Sequence, residues 1–202
     1  QRTLVDGCLP MTVSTWERDG VRYRQTGFAV PLAGVPKPGE RIQADDELVL
    51  MMRFEMESTG GPAQAWLDIG VSDDEGNQGL EFRDGLVVAG ADSPRLRMLL
   101  VPHEGAEGDS HWEFGVDGTR VRCQATVVPG RPQRTLDAVI PFVTFTSAQE
   151  WERLRSLRFE EAFDQVRDYW RARLAAGARI HTPEPMINDF YNAHVSHLLI
   201  NT

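Results

Sequence analysis

The sequence has no run approaching the roughly 20 consecutive apolar residues that a membrane-crossing helix needs, and its start, Gln1-Arg2-Thr3-Leu4, lacks the apolar stretch of a secretion signal. It also lacks a basic patch. With 30 acidic against 21 basic residues the net charge is −9, a balance that repels phosphate backbones and anionic lipid surfaces. Neither nucleic acid nor membrane is therefore expected as a partner. Cysteine is scarce: Cys8 and Cys123 lie far apart in the chain and can pair only if the fold brings their Cα atoms within bonding range. Two buried free thiols are the expectation.

Several chemical signatures are missing as well. No G-x-x-x-x-G-K-[ST] or G-x-G-x-x-G loop is present to cradle phosphate. Ser14, Ser58, Ser72 and Ser93 lie outside any G-x-S-x-G elbow, so nucleophilic hydrolase chemistry has no support. His194 and His197 stand three apart on an expected helix without the HExxH glutamate of a zinc hydrolase. The acidic run Asp73-Asp74-Glu75-Gly76-Asn77 places glycine fourth rather than sixth, with no glutamate at the twelfth position, so it reads as a solvated turn instead of a calcium loop. His103 and His111, with Glu104, Glu107, Asp109 and Glu113, form an acidic, histidine-bearing stretch around a loop. A metal or sugar is an alternative there to the ordinary surface loop. Taken together, these absences predict no catalytic residue, no metal ion and no cofactor in this chain.

What is present is a period-two pattern up to about residue 146. Leu48, Leu50, Met52, Phe54 and Met56 alternate with Val49, Met51, Arg53, Glu55 and Glu57, the pattern of a half-buried strand. Val121, Cys123, Ala125 and Val127 alternate in the same way with Arg122, Gln124 and Thr126. Further strands are expected over 11–17, 21–30, 65–71, 86–89, 96–101 and 136–145, about eight in all. Asp19-Gly20, Asp84-Gly85 and Asp117-Gly118 carry the turn chemistry that reverses a chain cheaply, and 32–40 and 103–110 read as loops. Strands joined by hairpin turns, with no helical pattern between them, predict a mainly β, antiparallel β-sandwich.

After Phe145 the period changes. Ser147 with Glu150 fits a capping box opening a short helix through Trp151 and Leu154. Phe159, Ala162, Phe163, Val166, Tyr169, Trp170 and Leu174 then form one apolar stripe, an amphipathic helix over 159–174 that Gly177 is suited to end. Thr182 is the expected N-cap of a last helix, with Pro183 at its first position. Ile187, Phe190, Tyr191, His194 and Leu198 form that helix's expected stripe, over 186–200. Such an apolar helix needs a cover, and Gln1 is not an initiator methionine; the expectation is the front part of a larger protein.

The residues from Thr135 to Phe145, then Phe159-Glu160-Glu161-Ala162-Phe163, Tyr169-Trp170 and Ile180-His181-Thr182-Pro183-Glu184-Pro185-Met186-Ile187-Asn188 give an order of elements that resembles the junction in bacterial six-hairpin glycosidases. There an N-terminal supersandwich-type β-sandwich is joined by a helical linker to an (α/α)₆ catalytic barrel. The resemblance implies a sandwich over 1–146, a linker over 147–181 and the first barrel helix over 182–202. It further implies a glycoside hydrolase-like parent whose catalytic acids lie in the barrel, deeper than this chain reaches.

Trp16, Trp66 and Trp112 are the candidates for stacking against sugar rings. Trp66 is the best of them, because its parity in Ala65-Trp66-Leu67-Asp68-Ile69 sets it opposite Leu67 and Ile69, although core burial is the commoner fate of a tryptophan. Trp151 and Trp170 fall on helical stripes and read as packing. Three functions follow: the non-catalytic sandwich and linker of a glycosidase-like protein, with the barrel and carbohydrate as partners; an autonomous carbohydrate-binding or adhesive sandwich; and an interaction module that uses its apolar helices.

Overall fold

The computed structural model describes residues 1–200 except 38–39, 44–45, 72–78, 91–94, 104–111, 131–132 and 179. Eleven strands precede three helices among the described residues. The strands are β1 (Arg2–Leu4), β2 (Thr12–Arg18), β3 (Val21–Pro31), β4 (Leu48–Ser58), β5 (Ala63–Gly70), β6 (Leu80–Arg83), β7 (Leu86–Ala89), β8 (Arg95–His103), β9 (Trp112–Asp117), β10 (Arg120–Val127) and β11 (Arg134–Pro141). The helices are α1 (Ala148–Ser156), α2 (Phe159–Ala175) and α3 (Pro185–Ile200). One eight-stranded sheet runs β1-β2-β3-β4-β11-β8-β7-β6, and a three-stranded sheet runs β5-β10-β9. Every pairing is antiparallel.

The chain is thus mainly β with C-terminal helices, and each of the eight expected strands has its counterpart. Strands β1, β6 and β9 are additional. The first is three residues long, too short for a periodic signal. Strand β9 does alternate, with Trp112, Phe114 and Val116 against Glu113, Gly115 and Asp117, but a glycine inside a strand weakens the pattern. The last expected strand is shorter than read. It stops at Pro141, and Phe145 returns only as an isolated bridge to Leu96.

The larger departure is in β4, read as half-buried and in fact covered on both faces. Val49 and Met51 enter one apolar cluster with Phe28, Val139, Phe145, Leu154, Phe159 and Trp170. Phe54 and Met56, of opposite parity, enter a second cluster with Leu67, Val121, Cys123 and Leu136. The eight-stranded sheet is a middle layer, with α1 and α2 on one side and the three-stranded sheet on the other. Tyr23 bridges the two sheets, its hydroxyl accepting a hydrogen bond from the Trp66 backbone N–H at 3.1 Å.

The helix signals hold in part. Ser147 Oγ accepts from the Glu150 N–H at 3.3 Å while Glu150 Oε2 accepts from the Ser147 N–H at 2.8 Å, a complete capping box. The Ser147 N–H, the Ser147 hydroxyl and the Thr146 N–H all donate to that carboxylate and hold Glu150 below its usual range. Gly177 does not take the left-handed conformation expected of a terminating glycine. The end of α2 tightens instead, the Gly177 N–H reaching Leu174 O at 3.2 Å. Pro185, rather than Pro183, is the first residue of α3. The Thr182 hydroxyl does not cap the helix: it donates to Glu184 O at 3.1 Å. Glu184 O in turn receives the Ile187 and Asn188 N–H groups.

The N-terminal segment is held between α2 and α3. Asp6 pairs with Arg171 at 2.7 Å, and Ser196, the buried residue of α3, faces Cys8 O at 3.5 Å. Gly7 sits at φ +75°, where a Cβ would lie 2.5 Å from Asp189 Oδ2. The two thiols are free and buried, Cys8 in the helix-side cluster and Cys123 in the cluster between the sheets. The sheet itself keeps them apart.

Gly7→Ala is expected to destabilise the chain by about 1 to 2 kcal/mol, the cost of a left-handed backbone for an L side chain, measurable by urea unfolding; an unchanged midpoint counts against this contact. Burial, with Asp68 adding to it, pushes the Cys123 thiol up to about 12. At about pH 8, near the ordinary cysteine range, Cys123 therefore resists iodoacetamide in the folded chain and reacts only on unfolding, as peptide mass analysis reads out.

Candidate functional site

Trp66 lies on β5, where Ala65 and Leu67 point into the core at 0% and 7% exposure while the indole is 45% exposed. It occupies the outer face of the three-stranded sheet. Cross-strand register places Gln124 beside Trp66 and Arg122 beside Asp68. Gln64 Nε2 donates to Thr126 Oγ1 at 3.0 Å, and Gln124 Nε2 donates to Gln64 Oε1 at 3.2 Å. Arg122 Nε donates to Asp68 Oδ1 at 2.9 Å, and its Cζ lies 5.8 Å from the indole centroid. The Arg122 hydrogen bond holds the Asp68 carboxyl below its usual range, so Asp68 stays ionised at neutral pH. An exposed flat ring flanked by amides, a carboxylate and a guanidinium is the combination that meets a sugar: the ring covers a C–H face while the polar groups meet hydroxyls.

The other tryptophans are used differently. Trp16 stacks on Tyr23 with centroids 5.1 Å apart, and Trp112 stacks on Phe114 at 6.0 Å, its ring turned toward the core between the sheets. Trp151 donates to Phe145 O at 3.2 Å and Trp170 is buried, both as packing residues. His194 and His197 are exposed on α3, with the Phe190 ring 4.4 Å from that of His194. Ser14 and Ser58 lie on β2 and β4. Ser72, Ser93, the 73–77 run and residues 104–111, His111 included, lie outside the described residues. Among the described residues no group of three or more His, Cys, Asp or Glu is placed to hold a metal ion.

His103 is the exception to its loop assignment, because it ends β8 instead. There it joins a cluster that the sequence did not signal. Arg53 on β4 and Asp137 on β11 are cross-strand partners, and Arg53 Nε and Nη2 reach the two Asp137 oxygens at 2.7 and 2.8 Å. His103 Nε2 lies 2.7 Å from Asp137 Oδ2, which requires the ring proton on Nε2 when the carboxylate accepts. From α2, Glu160 accepts from Arg53 Nη1, and the Phe159 ring lies 4.1 Å from Arg53 Cζ. Burial opposes the charge on Arg53, but the hydrogen bonds to Asp137 and Glu160 outweigh it and raise the guanidinium pKa. The same bond holds Glu160 below its usual range. With its fork and its face both engaged, Arg53 fastens α2 to the middle of the sheet.

Helix α3 carries the remaining feature. Most of its expected stripe faces outward: Phe190 and Leu198 are each 64% exposed, Ile187 and His194 are exposed and Tyr191 is half-buried, while Met186, outside that stripe, is 80% exposed. The face that meets the protein is made of smaller groups, Ala193 and Ser196, with Leu199. Its lead-in is held by a reciprocal clasp, Thr182 N–H donating to Asn188 Oδ1 at 2.8 Å and Asn188 Nδ2 donating to Thr182 O at 3.0 Å.

Removing Asp137 leaves a largely buried guanidinium without its main partner, so Asp137→Ala costs about 3 kcal/mol. Glu160→Gln, at an exposed pair, costs less than about 1 kcal/mol. Because the folded-state pKa of Glu160 is depressed, its contribution is complete at neutral pH and fades as pH falls from about 4.3 through the lower folded value. Urea unfolding at neutral pH and at about pH 3.5, below the ordinary glutamate range, checks both; a larger loss for Glu160→Gln than for Asp137→Ala contradicts the assignment. No protein-family model matches this chain and no curated protein matches it significantly, so the geometry of its own residues carries the functional reading.

Proposed function

We propose that this chain is the non-catalytic β-sandwich and helical linker of a glycoside hydrolase-like protein, with α3 as the first helix of an (α/α)₆ barrel. The divisions are a supersandwich-like unit over 1–146, a linker over 147–181 and the barrel helix over 182–202. The observation that carries the reading is the outward apolar face of α3, where Met186, Phe190 and Leu198 stand exposed and call for a helical neighbour. The Thr182–Asn188 clasp supports it by setting the direction in which α3 leaves the linker. In this role the sheets brace the barrel, and the chemistry of bond cleavage belongs to carboxylates outside this chain. The chain alone is then expected to hydrolyse no p-nitrophenyl glycoside; turnover that survives purification overturns the reading.

A second reading, an autonomous carbohydrate-binding module, draws on the exposed Trp66 and its flanking Gln64, Asp68, Arg122 and Gln124. It predicts calorimetrically detectable binding to an oligosaccharide found on a glycan array. Trp66→Ala reduces that affinity at least about tenfold, the scale of one lost stacking contact and its area, with the unfolding midpoint little changed. A chain that binds no sugar on the array rules this second reading out.

A further inference from the structure

A cleft of about 610 Å³ is lined by residues of β3 and β4, the connection between them, α2 and the end of α3. Its size falls within the roughly 300 to 1,000 Å³ of small-molecule sites. Ala29, Ile42, Leu48, Trp170 and Leu199 give its lining an apolar part. The lining also includes Arg41, Arg173 and Tyr169.

What matters for this cleft is that its cationic groups stand together. The chain has 30 acidic residues, and many of its arginines meet them: Arg22 pairs with Glu17 and Glu57, Arg24 with Glu55, Arg122 with Asp68, and Arg153 with Glu47, although Arg2, Arg120 and Arg158 have no carboxylate partner among the described residues. Among the described residues Arg41 and Arg173 have no such partner, the Tyr169 hydroxyl has no hydrogen-bond partner, and no Asp or Glu lines the cleft. Two guanidinium groups and a phenol, all donors, therefore share one concave surface to which no described carboxylate of the chain supplies an acceptor.

We infer that this cleft binds a small organic carboxylate with an apolar body. A planar guanidinium matches a carboxylate through two parallel hydrogen bonds, which a compact ammonium does not. The apolar part of the lining suits the rest of such a ligand and disfavours a small, strongly hydrated anion such as phosphate. The inference is independent of the glycosidase reading, since it rests on neither Trp66 nor the outward face of α3.

Calorimetric titration of the intact chain with 4-phenylbutyrate tests it. One-site binding with a dissociation constant of about 1 mM or tighter is expected, weakened at least about tenfold by Arg173→Gln and by Arg41→Gln. The neutral isostere 4-phenylbutanamide is expected to bind at least about tenfold more weakly, and Phe190→Ser, on the exposed face of α3, to leave binding unchanged. Circular dichroism confirms that each variant folds. No saturable binding of 4-phenylbutyrate up to about 10 mM overturns the inference. So does equal binding of the amide, which marks apolar adsorption, or equal binding of inorganic phosphate, which marks a bare anion site.

Discussion

The constraint on which the rest of the structure depends is that the eight-stranded sheet has two apolar faces to cover. Val49 and Met51 point one way from β4, and Phe54 and Met56 the other, and all four are buried. Neither face can be left to water, because burial of such side chains is the main favourable term in folding. One face is closed by the three-stranded sheet and the other by α1, α2 and the N-terminal segment. The helices are consequently part of the core of the β unit, with Leu154, Phe159 and Trp170 in the same cluster as Phe28 and Met51.

Polar groups inside that layered core have to be paired, and the Arg53–Asp137 pair meets this demand at the sheet's centre. The pair spans β4 and β11 and its further partners come from β8 and α2, so the cluster ties α2 to three strands at one point. The aromatic contact with Phe159 places the same guanidinium against the helix-side core. A junction held in this way transmits the orientation of the sheet to α2, and through the packing of α2 on α3 to the outward apolar face.

Much of this was legible in the sequence because it depends on local rules. Eight strands followed from period-two alternation, the β2–β3 hairpin from Asp19-Gly20, and the start of α1 from a capping box whose members are three residues apart. The outward position of Trp66 followed from its parity with Ala65 and Leu67. The Arg53–Asp137–His103 cluster was not legible, since its members are 34 to 84 residues apart and each alone resembles an ordinary polar residue on a strand. The cleft was hidden for the same reason: Arg41 and Arg173 belong to a loop and a helix that meet only in space.

The contrast is sharpest in α3. By itself the sequence determined that a helix forms after the Pro-rich break and that Ile187, Phe190, Tyr191, His194 and Leu198 share a face, because a helical repeat is set by covalent geometry and local bonding. Which face meets the protein was decided only by the tertiary structure. The N-terminal turn offers a narrow surface, where Gly7 lies against Asp189 and Cys8 O meets Ser196. At that point of contact Ser196 is buried and Phe190 and Leu198 are left outside, since close approach of two backbones selects for small groups between them.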